Sequence, residues 1–223
     1  VNRISSTKIG ANGNVGRILI ENLSEHPDYS PVAMVRKESQ AEELKNKGVS
    51  TVIADLEENF GHAFQGMDKV IFAAGSGAKT GKDKTDLVDK KGAIRSVDFS
   101  IKYGVRKFIM LSSRGAENAE KADETMQHYL LAKKAADEYL KSTNLPYAIV
   151  RPGALTNGPA TGKIKIANIF NEKGDISRKD VAAVLIHMLD HGIDGTQVFE
   201  ILSGKVEIED AVRLYLKTGQ EVT

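Results

Sequence analysis

The chain has no cysteine and no tryptophan, only 5 prolines, and almost no excess of either charge: 31 basic and 30 acidic residues leave a formal net charge of +1 over 223 residues. Without cysteine there is neither a disulfide nor a thiolate nucleophile. The charges are mixed along the chain, so no basic stripe is offered to nucleic acid or to an anionic lipid surface. No apolar run approaches the roughly 18 residues of a membrane span. The opening segment RISSTKIGANG lacks the long apolar stretch of a secretory signal, and a cytoplasmic location is expected by default. The first residue is Val rather than Met, which suggests trimming or an atypical start. The histidines His26, His62, His128, His187 and His191 form no H-E-x-x-H. His187 and His191, one helical turn apart, read as a helix end, so no metal is expected.

With 41% hydrophobic and 27% charged residues, the chain is long enough for one sizeable core, and residues 1–223 are expected to form a single domain. Short β-branched runs alternate with longer segments of helical period, the pattern of βαβ units around a parallel sheet. Strands are expected at Pro31–Val35, Ser50–Ala54, Lys69–Ala73, Lys107–Leu111, Tyr147–Val150 and Gln197–Ile201. Helices fit at Val15–Leu23, Ser39–Lys47, Asp86–Tyr103, Glu124–Ser142 and Ile208–Leu216, several closed by Gly or by a following Pro. The first strand disagrees with the scheme. It should be central and apolar, yet Arg3-Ile-Ser-Ser-Thr-Lys8 is mostly polar, which predicts a poorly buried strand or an unusual start.

The stretch KIGANGNVGR carries Gly10, Gly13 and Gly16 just before a helix. Backbone without Cβ atoms lets a ligand approach, and the first turn of a helix presents unpaired N–H groups, so a pyrophosphate fits there. Asn12, Asn14 and Val15, set among the glycines, belong to the same seat. The spacing is G-x-x-G-x-x-G rather than G-x-G-x-x-G. About twenty residues on, where an acid would take the ribose 2′-hydroxyl and an arginine a 2′-phosphate, stands Arg36, which favours NADP(H) over NAD(H). Asp55 and Leu56 follow the third strand where such folds turn over the adenine, although Asp55 could equally be the cap of a helix from Glu57 onward. Ala73, Ala74 and Gly75 are small residues at the carboxyl edge of the sheet, where open α/β sheets bind ligands.

From IGANGNVGR through VRK, ADL, FAAGSG, FIMLSSRGA, YLLAKKAADEYL, YAIVRPGAL and ISRKDVA, the chain resembles the short-chain dehydrogenase/reductase superfamily. Within it the likeness is to the atypical NmrA-like, NAD(P)H-binding group, which includes proteins grouped as NAD-dependent epimerases/dehydratases. The resemblance implies a doubly wound Rossmann fold with a mostly parallel sheet of about seven strands and helices on both faces. It also implies a small substrate cleft formed by about residues 151–180.

The same resemblance assigns the chemistry. Tyr129 and Lys133 form Y-x-x-x-K on one helix face; the superfamily uses such a Tyr as acid or base toward a carbonyl or alcohol, with the Lys assisting it and binding the nicotinamide ribose. A bland alternative has Tyr129 merely packing its ring at the helix edge. Tyr103 and Lys107 repeat the spacing but straddle Gly104. Ser113 matches the superfamily's hydrogen-bonding serine, with Ser112 the second choice for that role and a neighbour of the cofactor. Asp89 stands where the superfamily usually has Asn. Pro152 and Gly153, after Arg151, resemble the turn beside the nicotinamide; alternatively Arg151 pairs with a surface acid in a rigid turn. Ser177 reads as an N-cap, with Arg178 and Asp180 structural. Ile164, Ile166, Ile169 and Phe170 would line an apolar cleft or pair as a surface hairpin.

The implied function is an NADPH-dependent oxidoreductase acting on a small carbonyl, quinone or flavin-like acceptor. The alternatives are a non-catalytic NAD(P)-sensing regulator similar to NmrA, or a sugar epimerase/dehydratase. The expected partner is a small-molecule substrate; a homodimer is left open.

Overall fold

The computed structural model describes residues 4–76, 81–190 and 195–223, with the side chains of residues 4–8 outside the description. Among the described residues the first six strands are β1 (Ile4–Ile9), β2 (Tyr29–Val35), β3 (Ser50–Ile53), β4 (Lys69–Phe72), β5 (Lys107–Leu111) and β6 (Tyr147–Pro152). They are followed by β7 (Ala154–Thr156), β8 (Lys163–Ala167), β9 (Asp175–Ser177), β10 (Thr196–Ser203) and β11 (Val206–Glu207). Nine of them make one sheet in the order β11-β8-β10-β6-β5-β4-β1-β2-β3, while β7 and β9 pair as a small parallel sheet. The seven strands from β3 to β10 run parallel, and β8 adds antiparallel to β10. This is the expected doubly wound Rossmann fold, and its strand order reverses between β1 and β4, where such sheets open a crevice at their carboxyl ends.

The helices are α1 (Asn14–Glu25), α2 (Glu38–Lys45), α3 (Lys82–Lys84), α4 (Ala93–Lys102), α5 (Glu124–Lys141), α6 (Arg178–Asp190) and α7 (Ile208–Thr218). A wide π-helical stretch, Thr85–Gly92, joins α3 to α4 where one continuous α-helix was expected. Alternation along the strands splits the core into two layers. Val70, Phe72, Phe108 and Met110 face the layer that holds Val97, Ala136 and Leu140. Ile71, Ile109 and Leu111 face the layer that holds Leu19, Leu23, Val181 and Leu185. Each fully buried side chain of this kind contributes about 1.5–3 kcal/mol relative to exposure. The central strands therefore read as continuous apolar runs, because both faces are covered.

The polar first strand is central all the same: β1 pairs with both β2 and β4, and Ile9 at its end is fully buried. Ile164 and Ile166 correct the expectation of a cleft lining or surface hairpin. They are wholly buried on β8 within the core that includes Ala211 and Val212 of α7. Phe170 is buried beside Ala167 and Leu202, and Ile169 alone of the four is exposed, at 52%.

Ser177 caps α6 as expected: its hydroxyl accepts from the Asp180 N–H at 3.0 Å and donates to the Asp180 carboxylate at 2.8 Å. That carboxylate also receives the Thr161 and Gly162 backbone N–H groups, at 3.1 and 2.9 Å, and so ties the chain before β8 to the helix. Arg178 reaches the Leu155 carbonyl at 3.1 Å and Asn157 at 2.8 Å. Among the described residues no group of three or more potential ligands could hold a metal; His191 lies outside them. No helix among them is long and apolar enough to cross a membrane.

Candidate active site at the carboxyl edge

The register places Ile9 beside Phe72, Phe72 beside Met110 and Leu111 beside Val150. The segments that follow β1, β4, β5 and β6 therefore emerge side by side. After β1 the chain turns through Gly10 at φ +81°. A Cβ there would stand 2.6 Å from both the N and Cα of Ala74, so the glycine turn and the Ala73–Gly75 segment are in backbone contact. A Cβ at Gly16 would stand 2.1 Å from the Gly10 carbonyl oxygen, so α1 can pack this closely only with glycine there. Gly13 is the N-cap residue and offers no side-chain cap; its own N–H donates to the Gly10 carbonyl at 3.0 Å, and α1 begins at an exposed tip, Asn12 to Asn14, where a helix start favours an anion. Arg17 grips that tip, its Nε and Nη2 donating to Asn12 Oδ1 at 3.1 and 2.6 Å.

Bare backbone that a Cβ would fill, an uncapped helix start and an adjacent small-residue strand end together fit a dinucleotide pyrophosphate. Arg36, at the end of β2, is exposed, and among the described residues its side chain has no ion-pair partner. The nearby Glu38 instead faces Lys45 at 3.8 Å. Asp55 turns its carboxylate onto the Glu57 N–H at 3.0 Å, closing a turn; no helix starts at Glu57, so this is not the helix cap of the alternative reading. Leu56 is buried against Gly92.

On α5, Tyr129 and Lys133 lie on one face, the ammonium 5.6 Å from the ring centroid. Lys133 is 4% exposed; its Nζ stands 3.1 Å from Asp89 Oδ1 and donates to the Leu111 carbonyl at 3.3 Å. Burial works against the ammonium, but Tyr129 and the Asp89 carboxylate outweigh it and hold the Lys133 pKa above the ordinary lysine value. Asp89 comes from the π-helical stretch, and its other oxygen accepts the Ser76 N–H at 2.9 Å, so it joins α5 to the segment after β4. Among the described residues the half-buried Tyr129 makes no hydrogen bond through its hydroxyl. Ser113 is half-buried, with its hydroxyl on the Arg114 carbonyl at 3.2 Å. Tyr103 ends α4, and Lys107 is wholly buried at the start of β5.

Asp137, which the sequence reading did not single out, is wholly buried one turn beyond Lys133. Its Oδ2 accepts the Ser112 hydroxyl at 2.9 Å and the Nε and Nη2 of Arg151 at 3.0 and 2.9 Å. Arg151 Nη1 donates to Glu117 at 3.1 Å. Arg151 thus pairs with a buried acid as well as the partly exposed Glu117, and the Ser112 hydroxyl is spent inside the protein. The available signal was Asp137 itself, eight residues after Tyr129 on the same helical face. Pro152 is buried, and its carbonyl takes the Arg114 N–H at 3.2 Å. A Cβ at Gly153 would meet the Gly174 carbonyl oxygen at 2.4 Å, so β6 and the chain before β9 also meet backbone to backbone.

Residues 10–192 match the NAD(P)H-binding family, and the chain belongs to it. It is 41% identical to a Bacillus subtilis protein named "Uncharacterized sugar epimerase YhfK", over 92% of this chain and 97% of that protein. A Bacillus halodurans structure described as an NAD-dependent epimerase/dehydratase superposes with a TM-score of 0.91 at 43% identity, covering 95% of this chain and 99% of the other. The oxidoreductase YlbE of Lactococcus lactis superposes with a TM-score of 0.84 at 31% identity, covering 99% and 100%.

Proposed function

We propose that the protein is an NADPH-dependent oxidoreductase of the atypical short-chain group, acting on a small carbonyl, quinone or flavin-like acceptor. The observation that carries this reading is the pairing, on one face of α5, of a buried Lys133 held by Asp89 with a Tyr129 whose hydroxyl has no hydrogen-bond partner among the described residues, beside the glycine cradle. The bound cofactor supplies a hydride. Gly10, Gly13 and Gly16 seat its pyrophosphate, with Asn12, Asn14 and Val15 around them; Ala73, Ala74 and Gly75 flank it. Asp55 and Leu56 border the adenosine, and Ser112, Pro152 and Gly153 the nicotinamide end. Arg36 meets the 2′-phosphate. Ser113 polarises the acceptor oxygen, and Tyr129 gives it a proton. Lys133, kept cationic by Asp89, favours the charge left on the phenol oxygen and holds the ribose; a flavin acceptor would draw its proton from solvent instead. Residues 151–180 would wall the acceptor cleft.

Calorimetric titration with NADPH and NADH tests the cofactor half. A charged hydrogen bond to the phosphate is worth about 1.5–3 kcal/mol, so Arg36→Ala is expected to weaken NADPH binding by about 10–100-fold and NADH binding little. Equal weakening of both would remove Arg36 from the role. For the chemistry, Tyr129→Phe is expected to lower kcat on a carbonyl acceptor about 100- to 10,000-fold with NADPH affinity retained. A variant as active as the parent would take Tyr129 out of the mechanism. A sugar epimerase is the second reading, favoured by the name of the 41% identical relative. It requires no net oxidation of NADPH across the acceptor panel, together with interconversion of a sugar epimer pair.

A further inference from the structure

On α5, Tyr129, Lys133 and Asp137 follow one another at single helical turns; Lys133 and Asp137 reach the ends of β5 and β6, and the Tyr129 ring lies beside the Lys133 ammonium. Lys133 makes two short contacts, with the Leu111 carbonyl at 3.3 Å and Asp89 at 3.1 Å. Sliding the helix by one residue, about 1.5 Å, would break both. The apolar contacts of α5 come from Leu130, Ala132, Ala136 and Leu140, with Tyr139 partly buried against the same core, and apolar burial is non-directional.

Asp137 can set the position of the helix. Its Oδ2 gathers the Ser112 hydroxyl from the end of β5 and two nitrogens of Arg151 from the end of β6, all within 3.0 Å. Asp137 is 0% exposed, and Arg151 and Ser112 are each 4% exposed. Two neighbouring strands of the core sheet thus hold one carboxylate oxygen of the helix. Arg151 is itself steadied from the far side by Glu117 on the turn Ala116–Lys121. A buried ion pair seldom adds net stability over an apolar replacement of similar volume, whereas directional charged hydrogen bonds fix geometry.

We infer that Arg151, acting through Asp137, is a positioning residue: it fixes the height of α5 against β5 and β6, and so where Lys133 stands at the carboxyl edge. This rests on the reading above that Lys133 meets the cofactor. Arg151 touches neither cofactor nor acceptor in this role.

The test is NADPH affinity by calorimetry on the full chain. Lys133→Met, Arg151→Met, Arg151→Lys and Asp137→Glu are compared with the parent, each at a temperature where circular dichroism shows it folded. Asp137→Glu keeps the charge and both partners but adds one methylene to the link. Losing one charged hydrogen bond to the cofactor weakens binding on the order of 10–100-fold. Arg151→Met and Asp137→Glu are therefore expected to bind NADPH about 10-fold or more weaker than the parent. Arg151→Lys, which restores one hydrogen bond of the two, should fall between. If Arg151→Met fails to fold, Asp137→Glu and Arg151→Lys carry the test. Parent-like affinity in folded Asp137→Glu and Arg151→Lys, with Lys133→Met weak, overturns the positioning role. Parent-like affinity in Lys133→Met overturns the cofactor reading of Lys133 instead.

Discussion

The two ends of the central sheet carry buried charge in opposite ways. At the amino end Lys69 is 2% exposed and Tyr29 wholly buried. The Lys69 ammonium donates to the Leu189 carbonyl at 2.5 Å in the last turn of α6 and faces Asp190 at 3.7 Å, while the Tyr29 hydroxyl donates to Asp190. A cation on the last carbonyls of a helix completes that terminus, and the end is sealed. At the carboxyl end the chain supplies glycine and alanine around an uncapped helix start, and among the described residues the Tyr129 hydroxyl has no hydrogen-bond partner. Buried charge alone therefore does not mark a site. Bare backbone next to polar groups with capacity to spare does.

The largest expected effect that would test this contrast lies at the open end. Gly10→Val places a β-branched side chain at φ +81° against the Ala74 backbone. Backbone strain and overpacking together should cost about 2–6 kcal/mol in urea unfolding, and NADPH binding should vanish. A variant of parent-like stability would show that the turn is not the tight junction described. At the sealed end, Lys69→Met strips the Leu189 carbonyl and Asp190 of a partner and should cost about 1–3 kcal/mol. Its NADPH affinity should match that of the parent; a loss would mean that the two ends are coupled. The smallest effect is one of pH. Burial, then Asp190, raises the Tyr29 pKa above its ordinary value of 10.0, so the fold retains a proton that the unfolded chain releases. The contribution is full below about pH 10 and is lost as pH climbs past the unfolded value. The urea midpoint of the parent should fall above about pH 10 more steeply than that of Tyr29→Phe, with no such difference in slope near neutrality.

Much of this was legible in the sequence, for physical reasons. KVIF and KFIML read as strands because both faces of β4 and β5 are buried, and the glycine turn showed because a close approach leaves its mark in residue type. KIKIA reads as a cleft lining or a surface hairpin, since alternation alone does not say what its apolar face meets; only the packing of α7 decides that its isoleucines are core. Asp137 was hidden because a lone acid in a helix usually faces water, and its partners lie 25 and 14 residues away. Arg151 showed that it needed an acid, but the sequence did not say that the acid was internal.

The stretch Thr85–Gly92 left no compositional trace, yet it delivers Asp89 to Lys133. A π-turn holds more residues per turn than the α-helix that continues from it, so Asp89 reaches its partner by virtue of chain length. Deleting one residue within 85–92 would let the segment relax into ordinary α-helix and shift Asp89 around the axis relative to Lys133, because the tighter winding redistributes the side chains along the stretch. For that segment an insertion or deletion is a graver lesion than most substitutions: what must be preserved there is a number of residues as much as their identity.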